Sequence, residues 1–250
     1  MHPKTDIVCL VHNNLPVTEE FTHHLFENTS NFRLIFIDNA SSDGTPDFLR
    51  KGQADDKWDV ITSPVNLGVI KGRNLGAKYT SSEYFLNIDN DQYVGEGWLE
   101  GLYELINQGY DIVGPEAWQL LPPKSSGAVV VNGNLSQDRS YFPFKHCERP
   151  KDKFTYIGCG GMLIKREVYN NIGLFDEQFG PAYFEDPDFG FRAIKAGYKL
   201  GWKYNSPVLH LGHQTFHYQK LFNRNAQFTR SLNRFRKKWF PYFPKPIQMP

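Results

Sequence analysis

The chain has 250 residues, of which 40% are hydrophobic and 22% are charged, and its formal net charge is +1. This length and composition fit one large α/β domain or one domain with an appendage, and the charge gives no case for a nucleic-acid partner. The start, Met1-His-Pro-Lys4, lacks a signal-peptide core, and no apolar run reaches the roughly 18 residues of a membrane span. The three cysteines show no paired spacing, so we interpret Cys9 and Cys159 as buried free thiols of a reducing compartment such as the cytoplasm.

Predicted strands and helices alternate through the N-terminal part of the chain. The strands are Ile7–Val11, Leu34–Ile37, Val60–Ile61 and Tyr84–Ile88, and the helices are Val17–Phe26, Gly44–Arg50 and Val69–Tyr79. A helix at Trp98–Ile106 and a strand at Asp111–Val113 continue the alternation. Continuous apolar strands that alternate with helices indicate a mostly parallel α/β sheet covered on both faces.

The alternation breaks at residue 115. Residues 115–150 are rich in Pro, Gly, Ser and Asn, and a hairpin is predicted between Val129–Val131 and Asn134–Leu135. Because this stretch is too long for a simple connection, we expect a functional loop or an insertion that covers substrate. The elements expected after it are strands at Phe154–Ile157, Met162–Ile164, Lys199–Lys203 and Val208–Leu211, a helix at Pro187–Ala196, and a basic, aromatic helix from Phe216 to Phe240.

Two aspartates, Asp89 and Asp91, close the strand Tyr84–Ile88. Side chains two residues apart on a strand point to the same face, and this strand ends at the edge where open α/β sheets bind ligands. Two carboxylates there repel each other unless a cation neutralises them, and Mg²⁺ or Mn²⁺ takes oxygen ligands and substrate phosphates. The alternative is a polar turn without a ligand.

Two further segments follow predicted strands. Asp38 ends the second strand, where its carboxylate can accept the N3–H of a uracil or a ribose hydroxyl. Lys71 and Arg73 lie near the start of the helix Val69–Tyr79, and a helix N-terminus with nearby cations is a natural diphosphate cradle. The alternative for both segments is a simple strand–turn–helix joint.

Seven short segments, in their order and spacing, together resemble one protein family. They are Asp38–Thr45, Asn66–Gly68, Gly72–Gly76, Asp89–Asp91, Gly158–Lys165, Gly173–Phe179 and Phe184–Arg192. These segments are similar to the family 2 glycosyltransferases with the GT-A fold, and the likeness covers roughly residues 5–215.

The resemblance implies a GT-A fold, in which helices flank a Rossmann-like, mostly parallel central sheet, followed by an acceptor-side mixed region and a basic helical tail. Residues 1–215 would form one domain, with a nucleotide-binding half at 5–113, the insertion at 115–150 and an acceptor half at 154–215. Residues 216–250 would form the tail. The implied activity is an inverting hexosyl transfer from a nucleotide-diphosphate sugar, with UDP-sugar the first expectation, assisted by Mn²⁺ or Mg²⁺.

The resemblance also assigns donor-site residues. Asp38 would bind the base, and Asn66 and Arg73 would lie at the nucleotide. Asp91 would ligate the metal, and Asp89 would contact the ribose or the metal.

On the acceptor side, the resemblance makes Asp186 the general base, with Glu185 the next candidate. Such a base must deprotonate the acceptor hydroxyl as it attacks from the face opposite the leaving group. The alternative is that these carboxylates only stabilise a helix N-terminus, and we assign that role to Asp188. Arg192, at i+4 from Asp188, is interpreted as its salt-bridge partner.

Three histidines, His210, His213 and His217, surround the end of the last predicted strand. They could be loop or core residues, or a zinc site, although Gly212 disfavours a single helical face. By the resemblance, a histidine after this strand completes the metal site; His210 is the better match and His213 the runner-up.

Within the tail at 216–240, the stretch Arg224–Phe240 places six basic residues near aromatic ones. It is either a solvated face or a contact with an anionic membrane surface, a polyprenyl-diphosphate acceptor or an acidic polymer. The acceptor stays open among a saccharide, a lipid-linked intermediate, a protein and a modified nucleic acid.

Three other functions fit the sequence less well than the transferase. A sugar-nucleotide pyrophosphorylase should carry a Gly-rich, Arg-containing loop after the first strand, where this chain has His12-Asn-Asn-Leu-Pro16. A catalytically inactive sugar- or nucleotide-binding module is disfavoured by the combination of Asp91, Asp186 and His210. The G-x-G-x-x-G fingerprint of a dehydrogenase is absent from the first strand–helix turn.

Overall fold

The computed structural model describes residues 2–120, 129–132, 156–211 and 223–239, and all structural statements concern these ranges. The strands are β1 (Thr5–Val11), β2 (Phe32–Asn39), β3 (Asp59–Ser63), β4 (Tyr84–Asp89), β5 (Gln92–Val94), β6 (Ile112–Pro115), β7 (Ala117–Leu120), β8 (Val129–Asn132), β9 (Met162–Lys165), β10 (Leu200–Lys203) and β11 (Val208–His210). The helices are α1 (Leu15–Asn28), α2 (Thr45–Ala54), α3 (Gly68–Tyr79), α4 (Trp98–Asn107), α5 (Arg166–Ile172), α6 (Glu185–Lys195) and α7 (Arg224–Trp239), with a 3-10 turn at Glu177–Phe179.

The main sheet has the strand order β10-β6-β9-β4-β1-β2-β3. Strands β1 to β4 pair in parallel, as do β6 and β10, whereas β9 is antiparallel to both β4 and β6. The register pairs Val11 with Asp38 and Leu10 with Asp89, so both aspartates lie at the same edge of the sheet. The mostly parallel sheet flanked by helices is confirmed.

The central strands are buried on both faces, because helices cover each side. Ile7 and Cys9 pack in one cluster with residues of α1 and α4, while Val8 faces α3, whose Gly76 leaves room for it. Alternate residues of one strand therefore enter different cores, which explains its continuous apolar sequence.

Helix α7 is part of the second core. Its residues Leu232, Phe235 and Trp239 are buried in the same cluster as Phe189 and Phe191 of α6. The basic tail therefore has an apolar stripe that the sequence pattern did not reveal. Among the described helices, none combines the length and hydropathy needed to cross a bilayer.

A smaller sheet has the order β5-β11-β7-β8. Val129–Asn132 pairs antiparallel with Ala117–Leu120, and the predicted hairpin arm Asn134–Leu135 lies outside the described residues. The strand predicted at Phe154–Ile157 is wrong at its described positions, 156 and 157, which are irregular. In the same sheet, β11 pairs antiparallel with β5 and sets His210 opposite Gln92.

Candidate active site

Three potential metal ligands meet at the edge of the main sheet. Asp89 ends β4, Asp91 follows in the next turn, and His210 ends β11. Their ligand atoms all lie within 4.8 Å of one another, and His210 Nε2 is 3.2 Å from Asp91 Oδ1. The backbone fixes this meeting, because Leu211 N donates to the Asp91 carbonyl at 2.9 Å.

The chemistry of this cluster fits a divalent cation. Burial alone would raise the pKa of Asp89, but the Arg73 guanidinium and His210 hold that pKa below its usual value. Burial and the nearby charges of Asp89 and Asp91 raise the pKa of Cys9 well above its usual value, so a neutral thiol lies in their vicinity. Two carboxylates and one imidazole suit a first-row cation such as Mn²⁺ better than Ca²⁺, which prefers an all-oxygen shell.

The loops after β2 and β3 bring together the polar residues predicted to bind the nucleotide. Asp38 is 2% exposed, and its Oδ1 accepts a hydrogen bond from Ser41 N at 2.9 Å. Asn39 Nδ2 donates to Asn66 Oδ1 at 3.1 Å and ties the two loops together. Asn66 Nδ2 is buried without a hydrogen-bond partner among the described residues, so these loops retain an unused donor.

The start of α3 is not an open diphosphate cradle, so that expectation is wrong. The backbone N–H groups of residues 67–70 already donate to protein oxygens: Asn39 Oδ1 at 2.7 Å, Asn66 Oδ1 at 2.9 Å, and Pro181 O at 3.0 and 3.5 Å. The backbone amides at the start of α3 are therefore already paired with oxygen atoms of the protein.

Arg73 joins the metal cluster to the acidic pair. Its side chain is 8% exposed, with Nη2 at 2.6 Å from Asp89 Oδ1 and Nη1 at 3.5 Å from Glu185 Oε1. Burial would lower the pKa of Arg73, but the surrounding carboxylates raise it, so the group stays a cation. The sequence placed Arg73 at the nucleotide; the structure places it between two carboxylates.

Glu185 and Asp186 begin α6, and their surroundings differ. Glu185 is 5% exposed, and burial together with the Asp186 charge raises its pKa to about 8. Asp186 is partly exposed, and burial also raises its pKa, against the opposing effects of Arg73 and two hydrogen bonds from Cys159. Asp186 is therefore the carboxylate of the two that is open to an acceptor.

Cys159 is a site residue whose role the sequence did not reveal. Its backbone N–H donates to Asp186 Oδ2 at 3.2 Å, and its thiol donates to Asp186 Oδ1 at 2.8 Å. A Cβ at Gly160 would lie 2.5 Å from Nε2 of the buried Gln92, so a larger residue there would have to displace the Gln92 amide. The motif Gly158-Cys-Gly-Gly161 was the available signal, but its contact with Asp186 depends on the tertiary fold.

Asp188 stabilises α6 rather than facing the site. It is fully buried and accepts from Arg192 Nε at 2.9 Å and Trp239 Nε1 at 3.0 Å, and Lys238 Nζ lies 2.7 Å away. The predicted salt bridge with Arg192 is confirmed. The alternative metal ligands His213 and His217 lie outside the described residues.

The fold is shared with glycosyltransferases of known structure, which makes it a GT-A fold. GalNAc-T7, crystallised with UDP, GalNAc and Mn²⁺, has a TM-score of 0.70 at 15% identity, over 94% of this chain and 48% of its own. TarS of S. aureus, in complex with UDP-GlcNAc, has a TM-score of 0.64 at 16% identity, over 88% of this chain and 62% of its own.

The family follows from the sequence match. Residues 6–173 match the model of Glycosyl transferase family 2, and the chain belongs to that family. Chondroitin synthase of Pasteurella multocida is 25% identical over 154 residues, which are 50% of this chain and 16% of the synthase. The chain spans less than half the length of the curated relatives it matches.

Proposed function

We propose that this chain transfers a hexosyl group from a nucleoside-diphosphate sugar to an acceptor hydroxyl, with a divalent cation and with inversion of configuration. The observation that carries the proposal is the convergence of Asp89, Asp91 and His210 within 4.8 Å at the carboxyl edge of a parallel sheet. Arg73 connects this cluster to the acidic pair Glu185 and Asp186, so donor-side and acceptor-side carboxylates belong to one site.

The donor of the proposal is a UDP-sugar. Asp38 is a buried carboxylate whose remaining acceptor capacity suits the N3–H of uracil, and the unpartnered Asn66 Nδ2 offers a donor in the same loops. GalNAc-T7 was crystallised with UDP and Mn²⁺, whereas a mannosyltransferase of Pyrobaculum calidifontis was crystallised with GDP-Man and Mn²⁺. These two structures hold different nucleobases, so the preference for uracil needs its own binding experiment.

In the proposed reaction, Asp89, Asp91 and His210 would hold the cation, which would supply positive charge for the leaving diphosphate. Asp186 takes the proton of the acceptor hydroxyl, whose oxygen attacks the anomeric carbon as the bond from that carbon to the diphosphate oxygen breaks on the opposite face. Cys159 holds the Asp186 carboxylate through two hydrogen bonds. Attack from the opposite face inverts the configuration.

For the acceptor, we propose a hydroxyl of a saccharide or a lipid-linked saccharide. Helix α7 exposes Arg224, Arg230, Arg234 and Lys237 to solvent. These cations support an acceptor or a surface that carries negative charge, including the anionic face of a membrane.

Calorimetry with UDP, GDP and ADP, with and without Mn²⁺, tests the donor site. We expect binding that requires Mn²⁺ and ranks UDP first; a ligand of the native state at a hundred times its Kd would raise stability by about 2.7 kcal/mol. Asp91→Asn should abolish Mn²⁺-dependent nucleotide binding. Asp47→Asn changes an exposed residue of α2 and should leave that binding unchanged. Equal affinity for the three nucleotides would remove the UDP assignment.

Turnover tests the catalytic assignment. Asp186→Asn should lower kcat roughly 10²–10⁴-fold while nucleotide affinity stays near native, because the base does not hold the donor. NMR of the product should show the opposite anomeric configuration to the donor. Retention of configuration, full activity in excess EDTA, or nucleotide binding without any transfer would each contradict the proposal, the last in favour of an inactive binding module.

A further inference from the structure

Residues 179–184 form a segment that leads directly into Glu185 and Asp186. Four consecutive carbonyls of this segment, those of residues 179–182, each accept a hydrogen bond from outside it. Gln227 Nε2 donates to the oxygens of Phe179, Gly180 and Ala182 at 3.0, 2.9 and 3.2 Å, and the amide of Val69 donates to the oxygen of Pro181 at 3.0 Å. The segment is therefore held on one side by α7 and on the other by the start of α3.

The Gln227 amide is buried and its orientation is determined by its neighbours. The residue is 2% exposed, and Arg230 Nη2 donates to its Oε1 at 2.7 Å. With Arg230 on the oxygen, the NH₂ group must face the carbonyls and share its two hydrogens among them. Ser231 Oγ accepts from Gln227 Nε2 at 2.9 Å and shares its single hydrogen between the oxygens of Phe179 and Ala182, at 3.1 and 3.2 Å.

The backbone between these anchors and the acidic pair is strained. Tyr183 and Phe184 have φ of 77° and 68°, in the left-handed region that non-glycine residues avoid. Such residues persist only where the surrounding structure holds them, and they are found near functional sites. Because Phe184 immediately precedes Glu185, loosening of residues 179–182 changes how the first turn of α6 presents its carboxylates.

We propose that Gln227 and Ser231 of α7 are positioning residues for the Glu185–Asp186 pair. The inference rests on the proposed transferase function for its catalytic consequence, and on the hydrogen bonds of α7 for its structural one. Under this proposal, α7 positions residues of the catalytic site, and this role is separate from any contact made by the exposed basic face of the helix.

Kinetics test the catalytic consequence. Gln227→Met keeps side-chain length but removes the donor, and should lower kcat roughly 10- to 100-fold, as expected for misplacement of a catalytic group by a remote change. The affinity for UDP with Mn²⁺ should change less than twofold. Asn233→Met, an exposed amide on the same helix, is the matched control and should be native-like. Ser231→Ala provides a milder variant if Gln227→Met does not fold.

A double-mutant cycle distinguishes positioning from general damage. If Gln227 acts through the base, Gln227→Met should cost little further turnover in an Asp186→Asn background. Independent, additive losses would overturn the positioning role, as would native kcat in a folded Gln227→Met variant.

Hydrogen exchange keeps this proposal separate from the proposed function. Peptides covering residues 179–189 should lose protection in Gln227→Met and Ser231→Ala but not in Asn233→Met, whatever the enzyme transfers. Unchanged protection would overturn the inference even for an active transferase. A wild-type protein that transfers no sugar, with protection lost in Gln227→Met, would overturn the proposed function and leave the structural role of Gln227 in place.

Discussion

Replacing Cys159 with alanine should shift the pH dependence of turnover. The thiol donates to Asp186 Oδ1 at 2.8 Å, and it is one of the interactions that oppose the effect of burial on the pKa of Asp186. Cys159→Ala removes this donor while the backbone N–H of residue 159 still donates to Oδ2. The carboxylate therefore loses one of two bonds that favour its charged form.

The magnitude follows from the strength of that bond. Hydrogen bonds to charged groups contribute about 1.5–3 kcal/mol, and a thiol is a weak donor, so we take about 1.4 kcal/mol, which is a factor of about ten in the ratio of charged to neutral carboxyl. A base acts only when deprotonated, so a higher pKa of Asp186 removes activity on the acid side. The acid limb of kcat should move up by about one pH unit, with the alkaline plateau nearly unchanged.

The assay is the pH profile of kcat at saturating donor and acceptor. The acid limb reports the apparent pKa of the Glu185–Asp186 pair, because the two carboxyls are coupled. Cys159→Ser, which restores a donor, should return the limb toward its native position. An unmoved limb in Cys159→Ala, or a limb moved equally in Cys159→Ser, would refute the reasoning.

Three further outcomes are expected. Asp188→Asn should lower the free energy of unfolding in urea by about 1.5–3 kcal/mol, since it removes the buried charge that accepts hydrogen bonds from Arg192 and pairs with the partly exposed Lys238, whereas exposed Asp47→Asn should cost less than about 1 kcal/mol; equal small losses would contradict this. Glu185 has its pKa raised to about 8 from 4.5, so the folded state keeps a proton that the unfolded chain loses, and stability should fall as pH rises between those values. Glu185→Gln should flatten that fall in urea titrations across pH, and an unchanged slope would argue against it. His210→Ala should weaken Mn²⁺ affinity at least about tenfold in calorimetry, and more than His213→Ala; the reverse order would move the ligand assignment to His213.

The sequence was sufficient to predict that Asp89 and Asp91 lie together, because that information is local; their role as metal ligands stays a prediction. Both follow an apolar strand, and strand alternation aims both side chains at one edge. His210 was expected there from the family resemblance, and the pairing of β11 with β5 brings it to the same place.

The errors arose where distant residues decide the outcome. The start of α3 has the cations of a diphosphate cradle, but Pro181, far along the chain, occupies its amides. The sequence pattern did not reveal the buried face of α7, because two of its buried residues, Gln227 and Ser231, are polar and a hydropathy pattern treats them as surface residues. Cys159 was correctly interpreted as a buried thiol, yet its partner Asp186 is brought to it only by the tertiary fold.

The reversed direction of β9 bears on how this protein can diversify. Strand β6 ends, and β9 begins, on the ligand side of the sheet, and the two strands pair directly at Ile112–Ile164 and Val113–Leu163. The chain therefore leaves the main sheet after Pro115 and returns to it at Met162, at the same edge. Doubling the length of a connecting loop costs only about 0.6 kcal/mol of closure entropy. Chimeras that exchange residues 133–155 between relatives leave β7, β8 and Cys159 in place, so they should retain the donor chemistry while the acceptor changes. Variation at this edge of the sheet is therefore a direct route to a new acceptor.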